Sequence, residues 1–428
     1  MSILYLRFLK GLVRMNKFFW LDKQRGIAKT YTDLISDLIS IKTVPHFLNH
    51  DNPYELYVSL LASVVFSRNV DIVDTDLSRT EKENLGIGKN HDYEMDFSEL
   101  VEALDSPKKL VSLVLSSANS WRLGIYTSGT TGRPKRIEHT MESLTRACKI
   151  GDKYSDNVWA FAYNSTHFAG LQVFFQAFLN LNTIVYIFET TPSRILPTIE
   201  ESSVTHISAT PTFYRSFVFT SEKANERVLG VTMGGEKFDT SLVERISSIF
   251  PNARIRNIYA SSEAGSLFAS TGDVFTIPTR FSGKVLIGDD GELLIHKSLL
   301  GISDDIILEG EWYHTGDVVE RLDENTFRFI SRKTEMINVG GYKVNPHEVE
   351  KAIRAIEGVL DVRVFGRSNR VTGNIVVAEI VAKNTEVKPY IENEISQLNK
   401  HLRSWKVPRI VNFVDSIEQT RTGKKVRK

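Results

Sequence analysis

The sequence predicts an α/β protein with a large N-terminal domain of mostly parallel sheets, a small β subdomain within it, and a small α+β C-terminal domain. Three observations carry this. Buried-looking strands alternate with helical stretches between residues 158 and 261; short strands joined by acidic turns follow; the last hundred or so residues then return to mixed helix and strand. Alternation of the first kind marks a sheet whose parallel strands are joined by covering helices. With 428 residues the chain exceeds what one hydrophobic core usually organises.

In chain order, "PYELYVSLLASVVFS" (53–67) has helical spacing and "NVDIVDTD" (69–76) reads as a short strand. "VWAFAYN", "GLQVFFQAFLNL" and "TIVYIFE" give strand, helix, strand between 158 and 189. "THISATPTFYRSF" repeats the unit with Pro211 opening the helix, "VLGVTMGGE" is a strand running into glycines, and residues 239–263 read helix, Pro251, strand. "GKVLIGDDGELLIH" and "VVERLDENTFRFIS" are strand pairs turned by "DDGE" and "DENT". From Thr334 onward "HEVEKAIRAI" is a helix, "VLDVRVFGR" and "NIVVAEIVA" are strands, and "PYIENEISQLNKHLRSW" is a long helix. The charged, glycine-bearing stretch "SRKTEMINVGG" places the boundary between a domain of residues 1–332 and one of 333–428.

Composition narrows the partners. The net charge of +1 gives the molecule no bulk attraction for nucleic acid, and a basic site must be local. A single cysteine, Cys148, leaves no internal disulfide or cysteine-rich metal site and fits a reducing, cytoplasmic setting. At the N-terminus Arg7, Lys10, Arg14 and Lys17 interrupt every apolar run before signal-peptide length. They share one helical face while Leu4, Phe8, Leu9, Leu12 and Phe19 share the other. Such a helix packs on the domain body or makes peripheral contact with a membrane surface.

The chemistry-bearing stretch is "YTSGTTGRPKRIEHT" (126–140). Glycines, hydroxyls and a lysine between a strand and the helical-looking "IEHTMESLTRACK" suit a phosphate, which backbone N–H groups approach closely where glycine allows it. The spacing is not GxxxxGK[ST], so a phosphate-loop ATPase of the common kind is disfavoured.

"SGTTGRPK" resembles the signature loop of the acyl-adenylate-forming superfamily: acyl- and aryl-CoA ligases, peptide-synthetase adenylation domains and beetle luciferases. Further segments match in the same order: "NSTHFAGL" (164–171), "GGE" (234–236), "YASSE" (259–263), "YHTGD" (313–317), "SRKTEMINVGGYKVNPHEVE" (331–350) and "TRTGKKVRK" (420–428). The resemblance implies that Thr127, Ser128, Gly129, Thr130, Thr131, Gly132 and Lys135 clamp the outer phosphates of ATP. It places His167 at the carboxylate pocket, the backbone of Gly234, Gly235 and Glu236 at adenine, and Tyr259 stacked on adenine. Ser262 falls at the α-phosphate, Glu263 at Mg²⁺, and Asp317 and Arg332 at the ribose. Gly340, Gly341 and Lys343 form the loop serving thiol transfer, and Lys424 is the catalytic lysine on a mobile C-terminal domain. Three positions depart from the usual pattern: Ala260 for glycine, Ser262 for threonine, and Thr334 where the hinge residue is usually Asp or Lys. The chain is also short ahead of the phosphate loop compared with the family.

These residue types suit the implied reaction. A carboxylate must approach an anionic phosphate, and two like charges at ~4 Å in an effective dielectric of ~20 repel by about 4 kcal/mol. Lys424 and a Mg²⁺ on Glu263 supply the opposing charge. The acyl-AMP then meets a thiol, of coenzyme A or of carrier-protein pantetheine, with coenzyme A favoured for a free-standing chain. Amino-acid-activating relatives carry an aspartate where Asn164 stands, so the expected acid lacks an α-amino group: fatty, short-chain or aromatic. The alternatives are an acyl-AMP ligase that loads a carrier protein, and a non-catalytic nucleotide-binding homologue.

Overall fold

The computed structural model describes residues 17–75, 77, 79–87, 92–127, 135–220, 222–370, 372–400, 402–419 and 425–426. Its centre is an eight-stranded sheet. In spatial order the strands are Gly265–Ser270, Arg254–Ser261, Gly230–Gly234, His206–Ala209, Val158–Phe161, Thr183–Tyr186, Phe18–Asp22 and Ile27–Thr30. The inner six run parallel and each edge strand is antiparallel. Both faces are covered, which is why these strands read as continuous apolar runs rather than alternating ones. Ile184 belongs to one core, with helices Pro53–Val65 and Phe168–Phe178; its neighbour Val185 belongs to the other, with helices Pro192–Glu201, Pro211–Val218 and Thr240–Ile249. The first core is aromatic, with Tyr57 stacked on Phe174 at 3.9 Å between ring centroids.

Helix starts follow the residues that satisfy free backbone donors. Thr210 accepts from the Phe213 amide ahead of Pro211, and Asp239 accepts from the Ser241 amide. A β unit of six strands follows: Val274–Thr276, Thr326–Arg332, Trp312–Arg321, Glu292–His296 and Val285–Ile287 in order, with Leu308–Glu309 at the side of Trp312–Arg321. Gly291, at φ +78°, makes the turn of the "DDGE" hairpin. The C-terminal residues build a five-stranded sheet with helices Pro346–Arg354 and Lys388–Ser396 packed on it.

Three expectations are corrected. Phe19, expected on an N-terminal helix, lies in strand Phe18–Asp22, fully buried, because the aromatic run pairs in parallel with Thr183–Tyr186; the rest of that expected helix, residues 1–16, lies outside the described residues. The stretch after the glycine-rich loop begins as a strand, Lys135–Thr140, and only Met141–Thr145 is helical. Ile137 and His139 alternate inward there, and the strand pairs antiparallel with Arg122–Thr127. The long helix expected at 389–405 ends at Ser396 and gives way to 3₁₀ turns Leu398–Lys400 and Ser404–Lys406, which bring Trp405 onto Tyr342, ring centroids 4.3 Å apart.

Candidate active site

Strand Val158–Phe161 is a switch point. Its chain successor, Thr183–Tyr186, lies on one side, and the next strand, His206–Ala209, on the other. Helices leave such a point in opposite directions and open a crevice beyond the carboxyl ends of the strands. A cavity of about 210 Å³ sits there. His167, Gly234, Gly235 and Ser262, singled out from three separate segments, all line it. Gly234 is close-packed: a Cβ there would meet the Ile258 carbonyl at 3.3 Å, and Gly235 adopts φ +83°. Glu236 is anchored by Thr212, whose Oγ1 donates to it at 2.8 Å.

Beside the cavity three more singled-out residues form one network. The Tyr259 hydroxyl donates to Asp317 Oδ2 at 2.6 Å, and Arg332 Nε donates to Asp317 Oδ1 at 2.8 Å. Asp317 is 3% exposed; burial pushes its carboxyl above the usual carboxylate range, and Arg332 opposes that shift. The Arg332 side chain remains 47% exposed. The turn carrying Asp317 is built on Glu292, which the sequence offered only as part of a hairpin. The Glu292 carboxylate accepts from the Gly316 amide at 2.7 Å and pairs with His314 and Lys333, each at 2.8 Å. Gly316 stands at φ +73°.

The residues on either side of the glycine-rich stretch form a strand pair. Strands Arg122–Thr127 and Lys135–Thr140 flank it, with Thr127 opposite Lys135. Ser128, Gly129, Thr130, Thr131 and Gly132 lie outside the described residues, as does Lys424. Against this strand pair, buried Asp71 accepts two bonds from Arg136, Nε and Nη2 each at 2.8 Å, and one from the Tyr126 hydroxyl at 2.7 Å. Gly124 passes so close that a Cβ would lie 2.1 Å from Asp71 Oδ1. His139 joins strand Lys135–Thr140 to the crevice: its Nε2 lies 2.8 Å from the Ser262 carbonyl and its Nδ1 3.0 Å from Ser143 Oγ. Burial pushes this imidazole down to about 4, so it is neutral at pH 7 and donates to the carbonyl. The Gly301 amide donates to the Glu263 carbonyl at 2.7 Å. Glu263 is half-buried, and its charge acts on Tyr313 and Arg332.

A carboxylate that sequence spacing missed stands beside His167. Asp74 accepts from Asn164 Nδ2 at 3.2 Å and from Thr166 Oγ1, and its Oδ2 is 3.7 Å from His167 Nε2. In the C-terminal unit Gly340 and Gly341, at φ +58° and +88°, make a two-residue hairpin turn between Ile337–Val339 and Tyr342–Val344. Lys343 is exposed on the second strand. A second cavity of about 230 Å³ opens against Gly340, Tyr342, Trp405 and Arg409. Thr334 lies in the 3₁₀ turn Lys333–Glu335 that follows Arg332.

A crevice over a sheet's switch point, followed along the chain by a unit with its own hydrophobic cluster, defines an α/β protein with a ligand-sized cavity at the carboxyl ends of its parallel strands. The chain matches the AMP-binding enzyme family over residues 62–290 and the AMP-binding enzyme C-terminal domain over residues 348–424. It belongs to this family, the acyl-adenylate-forming enzymes. It is 29% identical over 350 residues to 4-hydroxybutyrate–CoA ligase 1 of Metallosphaera sedula, covering 71% of this chain and 60% of that protein. To a methyl-dioxo-octahydroindenyl-propanoyl:CoA ligase of Rhodococcus jostii it is 27% identical over 328 residues, 70% of this chain and 62% of the relative. The match thus spans about six-tenths of the length of these two relatives. The o-succinylbenzoate CoA synthetase of Bacillus subtilis, solved with its acyl-adenylate intermediate, shares the fold: TM-score 0.68 at 17% identity, covering 98% of this chain and 96% of that one.

Proposed function

We propose that this protein is an AMP-forming acid–thiol ligase. It joins a carboxylic acid to ATP, giving acyl-AMP and pyrophosphate, and then transfers the acyl group to the thiol of coenzyme A, releasing AMP. The observation that carries the reading is convergence. His167, Gly234, Gly235 and Ser262 line one cavity, and Tyr259, three residues before Ser262, bonds Asp317, which bonds Arg332.

In this reading the acid's carboxylate lies at His167 and ATP spans the crevice. Asp317 and Arg332 orient the ribose, the segment 234–236 and Tyr259 hold adenine, and Ser262 bonds the α-phosphate. Asp317 retains acceptor capacity beyond its two bonds. The loop from Thr127 to Lys135 grips the leaving pyrophosphate, and Lys424 offsets the charge between acid and phosphate as they close. Among the described residues no three acidic, histidine or cysteine side chains gather as a metal cage. The lone Glu263 carboxylate therefore suits Mg²⁺, which takes one or two carboxylates and completes its shell from phosphates. Bound there, Mg²⁺ supplies charge neutralisation at the α-phosphate.

The cavity points to the acid. Its walls include Cys148, Trp159, Phe168 and Val173, and among the described residues none that line it is Asp, Glu, Lys or Arg. Asp74 beside His167 is engaged by Asn164 Nδ2 and Thr166 Oγ1, and the apolar walls are what favour an uncharged tail. The substrate is an acid with an uncharged apolar or aromatic tail. The Tyr342–Trp405 stack beside Arg409 and Gly340 offers an aromatic face and a cation, which favours a nucleotide-bearing thiol such as coenzyme A. The boundary at residues 332–333 serves as the pivot between the two half-reactions.

A panel of fatty, short-chain, aromatic and amino acids in the ATP–pyrophosphate exchange assay tests this. Simple acids should promote exchange, and coenzyme A alone should then yield thioester. Exchange driven preferentially by a free amino acid overturns the substrate class; exchange with no acid overturns the activity.

A further inference from the structure

Among the described residues the two units share no hydrophobic cluster. The hydrophobic cluster of the C-terminal unit draws on residues 337–413, and the other clusters end at Phe329. What crosses the seam is charge. Asp239, capping helix Thr240–Ile249, accepts from Arg215 Nη2 and from Arg354 Nη1, each at 2.9 Å. Arg354 ends helix Pro346–Arg354 of the C-terminal unit. Its other nitrogen, Nη2, is 4.0 Å from Asp361, which takes Lys425 Nζ at 2.5 Å. On the opposite side Arg215 Nη1 is 3.8 Å from Glu236. The result is an alternating row, Glu236, Arg215, Asp239, Arg354, Asp361, Lys425, from the cavity segment to the residue bonded to Lys424. Every side chain in it is at most 18% exposed.

Alternation fixes a register, because sliding the seam by one position sets like charges together. Burial alone would raise the Asp239 carboxyl, but Arg354 and Arg215 outweigh it and hold it below the usual carboxylate range. Ion pairs without an apolar backing separate more readily than a shared core, since water resolvates the parted charges.

We propose that Asp239 and Arg354 are positioning residues for adenylation: they latch the C-terminal unit so that the row from Glu236 to Lys425 is continuous, and they part for thiol transfer. This rests on the ligase reading above. Arg354→Gln removes the bridge between Asp239 and Asp361 while leaving each with a cation. Asp239→Asn keeps the helix cap and leaves Arg215 and Arg354 facing each other. Both half-reactions are measured separately, as acid-dependent pyrophosphate exchange and as thioester formation from supplied acyl-AMP and coenzyme A. Arg354→Gln should lower the exchange kcat at least tenfold and leave thioester formation within twofold; Asp239→Asn should do the same more strongly. Arg354→Lys, whose single nitrogen cannot span both carboxylates, should fall between Gln and wild type. Equal loss in both half-reactions, or exchange within twofold of wild type, overturns the latch. Small-angle scattering gives a readout independent of activity. A larger radius of gyration for Arg354→Gln supports the latch even if no acid promotes exchange in wild type, whereas an unchanged curve overturns it.

Discussion

The crevice and the seam are both built from ion pairs, yet they are built differently. In the crevice, Asp317 takes its two bonds above a packed aromatic cluster: Tyr259 lies 5.5 Å from Phe268, centroid to centroid, and Phe268 is 5.2 Å from Phe327. The network stands on strands of two adjoining sheets. At the seam the pairs join elements of two separate hydrophobic clusters, with no cluster of the described residues spanning both. The first arrangement suits a site that must be correct on arrival; the second suits a contact that must form and break in each cycle.

The largest test of this contrast is Lys424→Ala. In the proposed reading the lysine belongs to the moving side, so its loss should lower acid-dependent exchange by about 10²- to 10³-fold. ATP affinity, set by the crevice, should stay near wild type in a calorimetric titration. An equal loss of ATP binding would erase the distinction. The fixed side is tested next by acid. His139 is neutral in the fold at about 4 and protonates near 6.5 when unfolded. Its stabilising contribution is therefore present above pH 6.5 and is lost as pH falls toward 4, on the order of 3 kcal/mol. Urea denaturation at pH 7 and pH 4.5 should show the loss, and His139→Leu should flatten it. Asp317→Asn should weaken ATP binding by roughly tenfold to a hundredfold, the worth of a charge-assisted bond, with little change in thioester formation from supplied acyl-AMP. Gly340→Ala is the smallest. Its φ of +58° makes a Cβ cost roughly 1 kcal/mol in an otherwise open turn, and thioester formation should slow severalfold while exchange is kept.

The elements legible in the sequence were those whose signal is local. Runs such as "TIVYIFE" and "VLGVTMGG" announce strands buried on both faces, and Pro211 after Thr210 announces a helix start. Tyr259, Asp317 and Arg332 were legible through ordered motifs, and the fold brings them within bonding distance. What was hidden depends on partners far along the chain. Asp71 reads as one acid in a strand until Arg136, 65 residues on, folds over it. His139 sits in a stretch with helical spacing, and only pairing with Arg122–Thr127 makes it a strand residue aimed at Ser262. Glu292 and Asp74 look like turn and strand-end acids, and the latch residues Asp239 and Arg354 look like a cap and a helix-end charge.

The central claim is that these separated segments hold one Mg·ATP. A crystal structure of the protein grown with Mg²⁺ and a non-hydrolysable ATP analogue tests it most directly. The account predicts the ribose hydroxyls within hydrogen-bond distance of Asp317, adenine against residues 234–236, and the outer phosphates under the loop that begins at Thr127. A nucleotide bound elsewhere, with Asp317 still bonded only to Tyr259 and Arg332, would contradict it.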